Sequence, residues 1–335
     1  MFKNLKLIFS PKNKDIRKRI GFTLMGLLIF ALGTTIPVPG TKGAISSLGL
    51  WELYNAIGGG ALKNFSIFAL GVMPYISASI ITGILQMDII PYFTELKESG
   101  EQGRQKINQI NRYLGIVLAF LQGFAMAFTF VKGAGTLEYM KIALFLTGGT
   151  AFLLWLGDQI TQKGIGNGVS LLIFTGIVSN LPNAFLTTYN NLVTYDSGMW
   201  LDIAWYVLFV VVYLSIVVFV VFTEGAIRKI PVNYASSTSV TMRAREQTHM
   251  PIKINSSGVL PVIFASSVLA APRTIVSFMK ASSTTKMINT IFNYQEPVGF
   301  CLYILMIIGF TFFYSNLQID AEKISDDLKK NGGSI

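Results

Sequence analysis

The side chains that usually carry catalysis or bind metals are scarce in this sequence. It holds one histidine, His249, and one cysteine, Cys301. These two residues cannot build a zinc site, and a single cysteine excludes an intramolecular disulfide. The apolar segments contain no Ser–His–Asp set, no paired carboxylates and no Gly-Lys-Ser/Thr phosphate loop. We therefore expect no enzyme activity, no metal and no cofactor, and we interpret His249 as a surface residue.

Branched apolar residues at helical spacing suggest a different role, the exclusion of water from a passage. Ile76 and Ile80 are four residues apart, as are Val169 and Ile173, so each pair lies on one helix face. A ring of such side chains would form an apolar constriction that gates by dewetting. Ordinary helix packing is the simpler explanation for a lone pair. Small polar neighbours favour the constriction, because lipid-facing surfaces avoid them. They are Ser77, Ser79, Gln122, Asn167, Ser170, Ser266 and Ser267.

A short motif occurs twice in the chain. Residues 71–80 and 258–267 share the pattern Gly-Val-x-Pro-x-Ile-x-Ala-Ser, and each copy begins an apolar run. The pattern places Ile263 at the position equivalent to Ile76. A duplicated unit explains the recurrence, and in membrane proteins such repeats often flank the working site. The alternative is coincidence between two membrane helices that both contain glycine and proline.

The composition is typical of a membrane protein. Hydrophobic residues make up 52% of the 335 residues and charged residues 13%, whereas soluble proteins carry about 25% charged residues. Eight apolar runs are long enough, or nearly so, to cross a bilayer. They are residues 21–36, 65–87, 113–131, 140–156, 168–186, 200–222, 258–278 and 299–316.

Two segments outside these spans are predicted not to cross the membrane. Residues 1–20 are basic and predicted to lie as an amphipathic helix on the membrane surface. Residues 41–64 are too polar and too rich in glycine to span. Their glycines at 58–60 follow a short amphipathic piece, residues 50–57, which predicts a half-helix on a hinge inside the protein. A plain external loop is the alternative.

The charged loops predict the orientation. The chain has a net charge of +10, and most basic residues lie in four segments that eight spans would put on one side. The segments are 1–20, 91–112, 223–255 and the tail. By the positive-inside rule that side is cytoplasmic, so the amino terminus is expected inside. The two motif copies then run in opposite directions, as an inverted repeat requires.

Five blocks of sequence resemble the SecY/Sec61-alpha family, the channel subunits of protein translocases. The most specific reads Phe-Ser-Ile-Phe-Ala-Leu-Gly-Val-Met-Pro-Tyr-Ile-Ser at 65–77, and a second reads Gly-Glu-Gln-Gly-Arg-Gln-Lys at 100–106. The others follow in the family's order at 163–170, 228–232 and 258–267. The resemblance implies an all-α, polytopic membrane helix bundle with two inverted, pseudo-symmetric halves around a central pore. The first half would be residues 21–187, the second 200–317, and the cytoplasmic tail 318–335.

The resemblance also implies roles for particular residues. The pore ring would be Ile76, Ile80, Val169, Ile173 and Ile263. A plug at about residues 48–64 would include Gly58, Gly59, Gly60, Ala61 and Leu62. A lateral gate, formed by the second, third, seventh and eighth spans, would include Ser77, Ser79, Gln122, Ser266 and Ser267. Motor or ribosome docking would use Arg104, Lys106, Arg228, Lys229, Arg243 and Arg245.

The implied activity is that of a passive protein-conducting channel in the bacterial cytoplasmic membrane. Unfolded secretory polypeptides would pass through the ring, and membrane helices would leave through the lateral gate into lipid. The implied partners are SecE, SecG, the SecA motor ATPase or the ribosome, signal sequences and nascent chains. A secondary transporter with inverted repeats is the alternative, although it predicts charged residues at the midplane of the membrane. A membrane protein without a pore is a third hypothesis.

The sequence departs from the family pattern in two places. Phe30-Ala31 stands where the family usually has an arginine beside a tyrosine. The sequence ends at 335, where the family continues through a further loop and two more helices. The second half is therefore expected to be incomplete, with three spans where the first has five.

Overall fold

The computed structural model is an α-helical bundle with two short strand pairs. It describes residues 13–41, 55, 58–86, 90–131, 133, 135–193, 199–234, 249–277, 279, 282–318, 321–330 and 333–334. The chain divides into two units, the first made of residues 1–186 and 270–289 and the second of residues 187–269 and 290–335. The all-α fold class predicted from the sequence is confirmed.

The first unit is built mainly from six helices. They are α1 (Lys14–Gly33), α2 (Met73–Leu85), α3 (Pro91–Glu98), α4 (Gly100–Phe130), α5 (Thr136–Lys163) and α6 (Gly168–Leu192), whose last residues belong to the second unit. Helix α4 packs against α2, α3 and α5, and α1 packs against α5. Glycines make these contacts close. An added Cβ at Gly123 of α4 would lie 3.4 Å from the Cα of Ala143 in α5, as is common where membrane helices pack.

The second unit combines apolar helices with short strands. In chain order these are α7 (Met199–Glu224), β1 (Ile227–Pro231), β2 (Asn233–Tyr234), β3 (His249–Lys253), α8 (Leu260–Ser277), α9 (Ser283–Ile291), α10 (Pro297–Gln318), α11 (Ala321–Lys330) and β4 (Gly333–Ser334). The end of α8 and most of α9 belong to the first unit. Strands β1 and β3 pair antiparallel, as do β2 and β4.

Five helices of the described structure are long and apolar enough to cross a membrane. They are Gly100–Phe130, Thr136–Lys163, Gly168–Leu192, Trp200–Glu224 and Pro297–Asn316. Two shorter apolar helices, Met73–Leu85 and Leu260–Leu269, coincide with the two motif copies. In the span 200–222 no side chain is buried in the protein, as expected of a helix whose apolar surface faces lipid.

The structure corrects two predictions about local structure. The span predicted at 65–87 is wrong for its first part, because residues 65–72 form turns and the helix begins at Met73. Gly71 adopts a positive φ and Pro74 lies in the first helical turn, and both favour a helix start at this point. The segment 91–112 is not a loop either. It forms α3 and the first turns of α4.

Candidate pore and gate residues

The first motif places its isoleucines at the start of α2. Gly71 has a φ of +57°, in the left-handed region that favours glycine, and Pro74 follows in the first turn of the helix. The chain therefore turns sharply just before Ile76, which is only 7% exposed. Ile80 lies one helical turn later and is half-buried. The motif thus fixes where α2 begins and which residues occupy its first turns.

The second pair of branched residues lies at the start of α6, which is held against α5. The Gly168 N–H donates to Thr161 Oγ1 at 2.8 Å. Gly168 also lies so close to Gly157 of α5 that an added Cβ would overlap the Gly157 carbonyl group. Val169 and Ile173 follow in the next turns and both are half-buried. Their position is therefore set by backbone contact between two helices.

A small apolar cavity marks the point where four segments of the first unit meet. It is lined by Gly58, by residues 70–73, by Leu172 and Ile173, and by Phe30 of α1. Its volume of about 10 Å³ leaves room for a single water molecule at most. The structure thus brings the glycine-rich segment and the turn before α2 into close packing with the start of α6.

The glycine-rich segment is a buried, hydrogen-bonded turn. The Asn55 carbonyl accepts a hydrogen bond from the Gly60 N–H at 2.9 Å, and its side-chain oxygen accepts one from the Lys63 N–H at 2.8 Å. Ala61 and Leu62 are fully buried. Apart from Asn55, the half-helix predicted at 50–57 lies outside the described residues. The segment from Gly58 to Leu62 is therefore a packed element of the first unit.

Gly59 packs directly on α6. An added Cβ at Gly59 would lie 2.8 Å from Ser179 Oγ and 3.0 Å from Gly176 Cα. Gly59 and Gly60 both have positive φ, at +69° and +81°, but an added Cβ at Gly60 would meet no atom within 4 Å. Glycine is required at Gly59 for space as well as for conformation.

The end of the glycine-rich segment is tied to the end of α1. The Val38 N–H donates to the Phe65 carbonyl at 2.9 Å, and the Ile67 N–H donates to the Ile36 carbonyl at 3.0 Å. Phe65 has a φ of +43°, which is strained for a bulky side chain, and its ring is buried. Strain of this kind persists only where the surroundings hold the residue in place.

Helices α2 and α4 are joined by a buried polar contact. The Thr82 hydroxyl hydrogen-bonds to the Asn111 side-chain oxygen, and both side chains are buried. Two turns toward the start of α2, Tyr75 lies against Gly115 of α4, where an added Cβ would come within 3.2 Å of the Tyr75 Cα. The two helices therefore have little freedom to separate in this region.

The predicted gate residues of the first unit lie near this contact. Ser77 and Ser79 of α2 are half-buried, and so is Gln122 of α4. The Gln122 side-chain oxygen is buried and has no hydrogen-bond partner among the described residues. A buried polar atom without a partner is costly and therefore rare in native proteins.

The predicted gate residues of the second unit lie on α8. Ser266 Oγ donates to the Val262 carbonyl at 2.7 Å and lies 3.2 Å from the Tyr303 hydroxyl of α10. Ser267 Oγ donates to the carbonyl of Ile263, which is itself buried. Helices α8 and α10 are thus linked by a polar contact, as α2 and α4 are.

The basic residues predicted for docking lie in two places. Arg104 and Lys106 are exposed on the first turns of α4, and Arg228 and Lys229 are exposed on β1. Arg243 and Arg245 lie outside the described residues. His249 begins β3 and is exposed, as predicted.

Arg228 and Lys229 lie on opposite faces of the β1–β3 pair. Neighbouring strand residues point to opposite faces of a sheet. The register pairs Ile227 with Lys253 and Lys229 with Pro251, so Lys229 and Lys253 share one face. Residues on this face are exposed, whereas the Arg228 face also carries half-buried Ile230. Lys253 was not among the predicted docking residues, and only the strand register shows that it shares a face with Lys229.

Sequence reasoning also missed an ion pair between α4 and α5. Arg112 and Asp158 form a salt bridge, and both side chains are partly exposed. The sequence does contain a signal, since the two residues carry opposite charges and lie on the same predicted side of the membrane, Arg112 just before the span 113–131 and Asp158 just after the span 140–156. Thr82 and Asn111 had no comparable signal, because uncharged polar residues do not indicate their partners.

Comparison with known proteins identifies relatives of the whole chain. A sequence profile described as SecY matches residues 66–335. The protein translocase subunit SecY of Bacillus subtilis is 45% identical over 335 residues, an alignment that covers 96% of this chain and 78% of the relative.

Solved structures share the fold at lower identity. One, described as the structure of a protein conducting channel, is 16% identical with a TM-score of 0.66, covering 97% of this chain and 79% of that chain. Another is Sec61 in the canine ribosome-channel complex from the endoplasmic reticulum. It is 19% identical with a TM-score of 0.56 and covers 80% of this chain and 60% of that chain.

Proposed function

The chain belongs to the SecY family, and on that premise we propose that it is the passive channel subunit of a bacterial protein translocase. SecY is a family of protein-conducting channels and not of enzymes, and the chain is a multi-pass membrane protein. Unfolded secretory polypeptides cross the membrane through it, and membrane helices leave it sideways into lipid. The energy for movement comes from a partner.

The observation that best supports this proposal is the packing of the glycine-rich segment against the start of α6. Gly58 and Ile173 line the same small apolar cavity, and Gly59 lies against Gly176. A segment that packs beside a ring of branched side chains can close a pore, and displacement of that segment can open it. We assign residues 58–62 to this plug, and Ile76, Ile80, Val169, Ile173 and Ile263 to the ring.

We assign the lateral gate to one pair of helices in each unit. Helices α2 and α4 form one half of the gate and α8 and α10 the other. In each pair the polar contact lies between two apolar helices, Thr82 with Asn111 and Ser266 with Tyr303. Hydrogen bonds of this kind help to hold membrane helices in register. Each helix pair then moves as one body, and we assign the entry of signal sequences to the lateral gate that these pairs form.

The cytoplasmic side is assigned from the distribution of basic residues. Arg104, Lys106, Lys229 and Lys253 are exposed, which suits contact with an acidic protein surface or ribosomal RNA. The ribosome-bound Sec61 structure shares this fold and supports the ribosome as one partner. The SecA motor is the other candidate for the same surface, and SecE and SecG are the proposed membrane partners. The amino terminus then lies in the cytoplasm.

A site-specific cross-link tests the channel function. A photoreactive residue replaces Ile80 in the complete translocase, and a secretory chain is stalled during transport. We expect a cross-link from position 80 to the stalled chain. The control is position 81, whose side chain is 40% exposed on another side of α2. The absence of any cross-link at position 80, with transport intact, contradicts the proposal.

The secondary transporter has no support from the family. It requires a binding site with ionisable residues at the midplane of the membrane. In the described first unit, Arg112 and Asp158 pair with each other just outside the predicted spans 113–131 and 140–156, and Lys141 lies at the very start of the span 140–156, so none of these charges lies at the midplane. The channel therefore remains the function that the chain supports best.

A further inference from the structure

An apolar groove of about 710 Å³ runs along α5 in the first unit. The segment that precedes α2 forms one wall of the groove, and the long axis of the groove runs parallel to α5. One residue of the lining is charged, Lys141, which lies near the amino end of α5. The lining residues that matter here are Phe68, Lys141, Leu144, Phe145, Gly148 and Phe152.

A pair of glycines shapes this groove. An added Cβ at Gly149 would collide with the Ile67 backbone, so this glycine lets the neighbouring segment lie directly on α5. An added Cβ at Gly148 would meet no atom within 4 Å, because Gly148 faces the open groove. Phe68 and Phe152 stack with ring centroids 5.9 Å apart and form an apolar wall. The groove is therefore a preformed concave surface.

The groove has the length of one membrane leaflet. Lys141, Leu144, Gly148 and Phe152 recur at helical spacing and lie along one face of α5. Eleven residues separate Lys141 from Phe152, which corresponds to about 16 Å of helix. Half of the hydrocarbon core of a bilayer is about 15 Å thick. A fatty acyl chain that starts beside Lys141 would thus reach the level of Phe152.

The positive charge of Lys141 indicates that a ligand in this groove would carry a negatively charged head group. Lys141 is exposed and forms no ion pair within the described part of the chain, although Glu138 lies one turn away. An ammonium group at the level of the lipid head groups attracts phosphate.

We propose that this groove binds one anionic phospholipid. Its phosphate pairs with the Lys141 ammonium group, and one acyl chain lies along Leu144, Gly148 and Phe152. In the orientation proposed above the lipid belongs to the outer leaflet. The site is separate from the plug and from both gate helices of the first unit, so lipid bound there leaves the polypeptide path free.

Lipid retention tests this site. The assembled translocase is purified from nanodiscs that contain equal amounts of phosphatidylglycerol and phosphatidylcholine, and native mass spectrometry counts the lipids that remain bound. Lys141→Gln is expected to lower the retained phosphatidylglycerol about five-fold, the effect of one lysine at an anionic surface. Gly148→Leu fills the groove and is expected to remove the lipid whatever its head group.

The matched control is Lys163→Gln, which removes a positive charge at the opposite end of α5. It is expected to retain phosphatidylglycerol as the unmodified protein does. Equal retention in all three variants would overturn the proposal. So would a cross-link from a photoreactive residue at position 144 to a protein subunit in place of lipid. Neither result bears on the cross-link at position 80, so this site and the channel function can fail independently.

Discussion

The Cα of Gly176 lies so close to Gly59 that an added Cβ on Gly59 would come within 3.0 Å of it. Gly59 belongs to the proposed plug and Gly176 to α6, the helix that carries Val169 and Ile173. Backbone therefore rests on backbone at the point where the plug meets a ring-bearing helix. The Ser179 hydroxyl could rotate away from an added methyl group, but the Gly176 backbone could not, which makes this contact sensitive to the smallest substitution.

Gly59→Ala is expected to weaken closure of the resting channel. The added methyl group must displace the plug from α6, whereas Gly60→Ala adds a methyl group into open space. Both variants place alanine at positive φ, so both carry a similar backbone cost of about 1–2 kcal/mol. We expect the ion conductance of the resting channel in planar bilayers to rise several-fold for Gly59→Ala alone. Equal conductance in the two variants would show that the contact with Gly176 does not hold the plug.

Ile80→Ala is expected to widen the pore ring. Removal of a branched side chain from an apolar constriction makes wetting easier, so the ion conductance should increase. Ile81→Ala makes the same change one residue later, where the side chain is 40% exposed, and should leave conductance unchanged. The two variants have the same cost in helix propensity, so their difference isolates the position. A larger increase in conductance for Ile81→Ala would show that Ile80 is not part of the ring.

Thr82→Val is expected to destabilise the first unit. Valine has nearly the shape of threonine but leaves the buried Asn111 side chain without its hydroxyl partner. The expected cost is about 1–3 kcal/mol, seen as a lower midpoint of thermal unfolding in detergent. Replacement of both residues by Thr82→Val and Asn111→Leu should recover part of this loss.

A matched control for this prediction is Thr147→Val. Thr147 is also nearly buried, but its hydroxyl donates to the Ala143 carbonyl within its own helix, at 2.6 Å. Its removal leaves no buried side chain without a partner. A midpoint for Thr82→Val that equals that of Thr147→Val would mean that the contact between α2 and α4 contributes nothing to stability.

Lys229→Glu is expected to weaken ribosome binding more than Arg228→Glu. Lys229 shares the exposed face of the β1–β3 pair with Lys253, so charge reversal there acts on two neighbouring positive charges. The measurement is co-sedimentation of the reconstituted channel with purified ribosomes. A several-fold loss is expected at low salt and a smaller one at high salt, because salt screens exposed charges. A greater loss for Arg228→Glu would assign docking to the opposite face.

The fold agrees best with the prediction from sequence at the repeated motif, where local residue types are enough to specify the structure. The isoleucine spacing at 76 and 80 needs only a helix, and Gly71 and Pro74 both favour the start of one. The same residues could have corrected the span at 65–87, since a positive φ at Gly71 ends any helix that precedes it. The apolar composition of residues 65–72 concealed this signal, because a buried turn and a membrane helix select the same side chains.

Contacts between distant residues could not be predicted in this way. Thr82 and Asn111 are 29 residues apart and carry no charge, so nothing in either segment specifies the other. The shared face of Lys229 and Lys253 depends on a strand register across a long connection. The helical nature of residues 100–112 was missed for another reason. Charged residues suggested a loop, although an exposed helix tolerates them equally well.

The unbroken length of α4 has a mechanical consequence. Its 31 residues make a rod of about 46 Å, whereas the hydrocarbon core of a bilayer is about 30 Å thick. Roughly the first third of the rod therefore projects beyond the lipid, with Arg104 near its tip. Asn111 and Gly115 contact α2 close to where α4 enters the membrane. If a partner docks at Arg104 as proposed, a force applied there would be transmitted along α4 to the contacts that Asn111 and Gly115 make with α2.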